Sequence, residues 1–116
     1  MEKVSAELLD EMVARLVDEF DPEQIILFGS HAWGTPHADS DVDLFVIVSD
    51  SHETPVQRMI RAHTALEGMG VPKDILVKTR AEVDFFSSVY ASLEAEVLEN
   101  GIVLYDRVAA AETINA

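Results

Sequence analysis

The chain has no cysteine, which excludes disulfide staples and thiolate metal sites together. It carries only 8 lysine and arginine residues against 22 acidic ones, a formal charge of −14. A protein so poor in cations cannot neutralise a phosphate backbone, so a nucleic-acid partner is not expected. A small metal-bound nucleotide, or a basic protein drawn in by long-range attraction, suits that charge better. No apolar run approaches the roughly 20 residues of a membrane span, and the opening MEKVSAELLDEMVARL is acidic and amphipathic rather than a secretory signal. A cytoplasmic protein with no membrane partner is the expectation. The 116 residues make room for one domain, expected over residues 1–108, with 109–116 as a frayed tail.

With 5 glycines and 4 prolines, punctuation is sparse, and each instance is informative. Between Ser5 and Phe20, Leu8, Leu9, Met12, Val13, Leu16, Val17 and Phe20 recur at three- and four-residue spacing, predicting an amphipathic helix capped by Ser5 and stopped at Asp21-Pro22. Ile25 to Phe28 reads as a buried strand, and SHAWG as one helical turn before TPHADS returns as loop. The β-branched and aromatic run from Asp43 to Val48 predicts a strand buried on both faces. Thr54-Pro55-Val56-Gln57 is a capping-box start; Val56, Met59, Ile60, His63, Leu66 and Met69 form the expected inward stripe, ended by Gly68 and Gly70. A third strand follows over Val71 to Val77, then a helix from Thr79 through Phe86. A last helix from Ser88 to Glu99 turns Val89, Leu93, Val97 and Leu98 inward, and a closing strand spans Ile102 to Tyr105. The order predicts an α/β chain of the α+β type, a small mixed sheet of about four strands with helices packed on it.

The chemistry concentrates in Leu27 to Val48, LFGSHAWGTPHADSDVDLFVIV. Gly29 lets backbone approach a ligand closely, and Ser30 adds a hydroxyl beside amide donors that could face phosphate. Asp41 and Asp43 stand two apart at a strand entrance, so both carboxylates point one way while Val42 turns to the core. A phosphate cradle facing paired carboxylates points to a nucleotide bound with Mg²⁺. Asp74, alone among the apolar residues of the third strand, costs free energy unless it meets a cation or donors.

Three other chemistries use similar letters. Gly29 and Gly34 have the spacing of a P-loop, but Thr35 stands where lysine is required. Asp39, Asp41 and Asp43 open like an EF-hand, yet Leu44 takes the glycine position and Asp50 the glutamate position. A nucleophilic phosphotransfer aspartate belongs at the carboxyl end of a parallel strand, whereas these acids precede theirs. The four histidines, His31, His37, His52 and His63, share no ligand spacing, and Arg58, Arg61, Lys73 and Lys78 fit solvated faces better than phosphate contacts.

What remains is strand, Gly29-Ser30, ten residues, Asp41-x-Asp43, strand, and a later strand bearing Asp74. That order resembles the DNA polymerase β-like nucleotidyltransferase superfamily, and the short chain resembles its minimal members, the antitoxins paired with HEPN-domain toxins. The resemblance implies that Gly29 and Ser30 hold the nucleotide phosphates and that Asp41, Asp43 and Asp74 bind two Mg²⁺ ions, with Asp74 as third ligand or base. It implies transfer of AMP from ATP to a tyrosine of a cognate HEPN toxin in a hetero-oligomer. The alternative is a regulatory subunit that keeps the fold and acts by binding its partner. The sequence departs from the family at Trp33, where many members carry arginine. Trp33, Phe85, Phe86 and Tyr90 are candidate interface residues.

Overall fold

The computed structural model describes residues 5–34 and 41–115. The loop expected over 35–40, with Thr35, His37 and Asp39, lies outside the described residues.

Helix α1 (Ala6–Phe20) begins where the Ser5 side chain accepts the Leu8 amide at 3.1 Å and ends where Asp21 turns left-handed at φ 46°. It buries Met12 and Leu16, with Leu8, Leu9, Val13, Val17 and Phe20 packed around them. Strand β1 (Gln24–Phe28), the four-residue turn α2 (Ser30–Trp33) and strand β2 (Val42–Val48) follow. Helix α3 (Pro55–Ala65), strand β3 (Lys73–Thr79), helices α4 (Arg80–Ser87) and α5 (Leu93–Asn100), strand β4 (Ile102–Asp106) and helix α6 (Arg107–Asn115) complete the order.

The sheet runs β3-β2-β1-β4, with β2 parallel to β3 and both other pairs antiparallel. Because β2 is central and covered on both sides, every residue from Val42 to Val48 is buried except Asp43. Val42, Leu44, Val46 and Val48 meet α1 and α3 through Met12, Leu16, Ala62 and Leu66. Phe45 and Ile47 meet Phe28, Ile26, Val83 of α4 and Val97 of α5 on the other face.

Several boundaries differ from the sequence expectation, three of them for visible reasons. β3 begins at Lys73 rather than Val71, because Gly70 turns at φ 70° and Pro72 has no amide to donate, giving its carbonyl to the Val42 amide instead. α5 begins at Leu93 rather than Ser88, because Ala91 sits left-handed at φ 62° and Ser92 caps the Ala95 amide. That leaves Val89, Leu93 and Leu98 exposed, with Val97 buried. The chain also continues into α6 across most of the segment expected to fray, where the Asp106 carboxylate accepts the Val108 and Ala109 amides.

Helix α3 is rotated from its predicted face. Both halves of the Thr54–Gln57 capping box form, but Ala62, Leu66 and Arg58 face inward while Val56, Met59 and Ile60 are exposed. Arg58 fixes that rotation. It donates to Glu82 at 2.9 and 3.1 Å, to the Val77 carbonyl at 2.7 Å and to the Glu53 carbonyl at 3.3 Å. Its hydrogen bonds hold the Glu82 carboxyl down at about 2, so this contribution is complete above the ordinary value of 4.5 and fades as pH falls toward about 2. Arg58→Ala strips the partner from a buried carbonyl and is expected to lower stability at neutral pH by about 2 kcal/mol. Urea denaturation at neutral pH measures it. Arg61 is also structural: it pairs with Glu19 and Glu53 and lies 4.5 Å over the Phe20 ring.

Candidate active site

Strand register assembles the site. Phe28 is the partner of Asp43, and Asp43 is the partner of Asp74, so the three lie in one row across β1, β2 and β3. Adjacent strands lie ~4.8 Å apart, and alternation puts Asp43 and Asp74 on the same face of the sheet. Asp41 precedes β2 and is exposed. Asp74 is exposed as well, on an edge strand. This corrects the expectation that Asp74 is embedded among apolar neighbours: Ile75 and Val77 of its strand are buried, but Asp74 itself is exposed.

Asp43 carries the electrostatic load. Burial, then the charge of Asp74, then that of Asp41 push its carboxyl from 3.8 up to about 6, while His31 pulls it back down. His31 is buried on the α2 turn, two residues beyond Gly29. Its sequence signal is weak, since only its place in a turn that folds back on β2 marks it.

Gly29 closes the row. It adopts φ 76°, ψ −156°, a region essentially confined to glycine, and a Cβ there would overlap Asp43 Oδ2. Glycine therefore does two things: it turns the chain into α2, and it leaves the Asp43 carboxylate its place against the backbone. The Gly29 carbonyl accepts the Ala32 and Trp33 amides at 3.0 Å each, which holds half-buried Ser30 at the start of the turn. Trp33 leans on Phe28 at 6.3 Å between ring centroids and is 40% exposed, an aromatic shelf beside the acids.

Among the described residues, no group of three His, Cys, Asp or Glu side chains stands close enough to hold a metal ion alone. The donor chemistry nevertheless fits a hard divalent cation. Oxygen ligands whose mutual repulsion lifts one pKa are relieved by a cation, and Mg²⁺ is commonly held by one or two carboxylates with substrate phosphates and water completing its shell. Asp41 and Asp43 are the residues that would supply those carboxylates, with Asp74 as a third or as the base.

The polymerase beta nucleotidyltransferase family model matches residues 11–109. The chain belongs to this family. The described part of the match runs from α1 to the start of α6, so the whole sheet and the Gly29 turn lie inside it. No curated protein matches the sequence significantly. Among solved structures, a candidate nucleotidyltransferase of Sulfolobus solfataricus superposes with a TM-score of 0.63 at 21% identity, over 88% of this chain and 80% of that one. A toxin–antitoxin structure with AMP-PNP gives 0.55 at 22% identity, over 90% and 77%. A mutant of the toxin–antitoxin MntA-HpeT gives 0.51 at 18%, also over 90% and 77%. These likenesses support a polymerase β-like nucleotidyltransferase fold, as the four-stranded mixed sheet does. No helix among the described residues is long and apolar enough to cross a membrane.

Proposed function

We propose that this nucleotidyltransferase is an antitoxin that moves AMP from Mg²⁺-bound ATP to a tyrosine hydroxyl of a HEPN toxin and so silences it. The observation that carries the reading is the Asp43–Asp74 row beside the Gly29 turn, with the Asp43 carboxyl raised to about 6 by burial and then by the charges of Asp74 and Asp41. The toxin–antitoxin setting draws on two similar structures, one solved with AMP-PNP and one with glutamate replacing two aspartates spaced two apart, as Asp41 and Asp43 are.

The tyrosine oxygen forms a bond to the α-phosphorus of ATP as the bond from that phosphorus to the β-bridging oxygen breaks, and pyrophosphate leaves. Gly29 and Ser30 hold the phosphates at the turn, and Asp74, exposed to solvent, takes the proton of the incoming hydroxyl. Bound Mg²⁺ supplies charge neutralisation and alignment. Asp41 and Asp43 would hold it in place. Trp33 favours a second reading, in which the chain occludes its partner without transfer, because an exposed indole stands where the resemblance to the family implies arginine.

Pyrophosphate release separates the two. With ATP, Mg²⁺ and the protein encoded beside this chain, the wild type is expected to release pyrophosphate and Asp41→Ala to do so about 10²- to 10³-fold more slowly, the scale of losing one preorganised electrostatic contact. Equal rates from both proteins contradict transfer; a tight complex without pyrophosphate establishes occlusion.

A further inference from the structure

The rotation of α3 leaves an apolar stripe with no partner in the fold. Val56, Met59 and Ile60 project beside the edge of β3, which has a strand neighbour on one side only. Two clefts share Met59 along this seam. One, about 460 Å³, is lined by Met59, Ile60 and His63 and ends at Asp74. The other, about 140 Å³, continues past Met59 and Val56 to Leu76 and Lys78. From Asp74 to Lys78 an extended strand covers ~13 Å, the length of about four residues. Arg58 occupies the Val77 carbonyl and marks the far end.

We propose that this trough receives the acceptor polypeptide: an extended apolar segment of the partner protein lies along the β3 edge and brings its hydroxyl-bearing residue to Asp74. The inference rests on the transfer reading above and adds the place and class of the acceptor. Strand order argues for it. The Gly29 turn follows β1, two strands and ~10 Å from β3, so a phosphate held at the turn and a group held in the trough flank the acid row from opposite sides. An in-line displacement needs that arrangement of donor and attacking oxygen. Length argues for a polypeptide over a small acceptor, since a small molecule filling the Asp74 end leaves the Val56 and Leu76 end unused. Charge sets the flank. Glu67 and Asp74 line the reacting end of a chain with net charge −14, which suits a basic residue next to the acceptor hydroxyl.

The test uses the full chain, labelled ATP, Mg²⁺ and the protein encoded beside it. Ile60→Glu places a charge on a side chain that is 57% exposed and outside the core, so the fold is retained. Label transfer is expected to fall about tenfold or more, the scale of losing one apolar interface anchor, with AMP-PNP affinity unchanged. Val108→Glu, an exposed position on α6 beyond β4 at the opposite edge of the sheet, is expected to transfer like the wild type. Hydrogen exchange should show the partner protecting residues 56–64 and 73–77. Wild-type transfer by Ile60→Glu overturns the proposal, as does protection at 85–93 in place of the trough. Weakened AMP-PNP binding overturns it by assigning the cleft to the nucleotide. A wild type that transfers to its partner while the trough stays unprotected puts the failure in the trough. A wild type that transfers nothing puts it in the transfer reading, and removes the acceptor role with it.

Discussion

Asp43→Asn is expected to cut nucleotidyl transfer by about 10³-fold while making the metal-free protein more heat-stable at neutral and alkaline pH. The activity loss follows from removing the central carboxylate of the proposed metal site. Charge stabilisation worth about 4 kcal/mol in the transition state corresponds to that factor, at ~1.4 kcal/mol per tenfold. The stability gain follows from linkage. The folded protein holds the Asp43 proton more tightly than the unfolded chain, with a carboxyl at about 6 against an ordinary 3.8. Its contribution to stability is therefore complete below 3.8 and is lost as pH rises through about 6. Asparagine stays neutral and escapes that loss. The variant should melt above the wild type at pH values over 6, and the gap should close as pH falls toward 3.8. Added Mg²⁺ should raise the wild-type melting temperature above pH 6 and do little for the variant. Thermal melts across pH, with and without Mg²⁺, measure all of this; a variant that is less stable at high pH, or as active as the wild type, contradicts the role given to Asp43.

Gly29→Ala is expected to damage both fold and chemistry. At φ 76°, ψ −156° an alanine is strained, at a cost of about 2 kcal/mol. Its methyl group also meets Asp43 Oδ2 and must displace it. A carboxylate moved by about 1 Å costs about 10²-fold in rate. Gly68→Ala separates the two effects, because Gly68 has φ 86° with nothing within 4 Å of an added Cβ. It should lose about 1 kcal/mol of stability from backbone strain alone and keep full activity. Denaturation and transfer assays on the pair decide the matter: if both glycine variants lose activity alike, the contact between Gly29 and Asp43 carries no functional weight.

Much of this molecule can be read from local chemistry. Ser5, Thr54 and Thr79 announce their helices because a capping side chain acts within three residues of itself, and all three caps form. The Asp43 alternation is equally local. Properties set by partners distant in sequence are harder to read. Val56, Met59 and Ile60 of α3 point away from the core, while Leu66 faces it, because Arg58 is anchored by Glu82 and Val77, 24 and 19 residues on. α5 starts late because one alanine goes left-handed, which no periodicity reveals. Asp74 looks buried by its neighbours in sequence but lies on an edge strand, a fact of sheet order. In the site, the two glycine roles split the same way: the turn at Gly29 is visible in the sequence, whereas its contact with Asp43 exists only once β1 and β2 are in register.

The most direct test of the account is the intact mass of the partner. This chain, ATP, Mg²⁺ and the protein encoded beside it are incubated together, with Asp43→Asn in parallel. The account predicts that the partner gains one or more adenylyl units on tyrosine with the wild type and none with the variant. A partner of unchanged mass, held in a tight complex by both proteins, would contradict it.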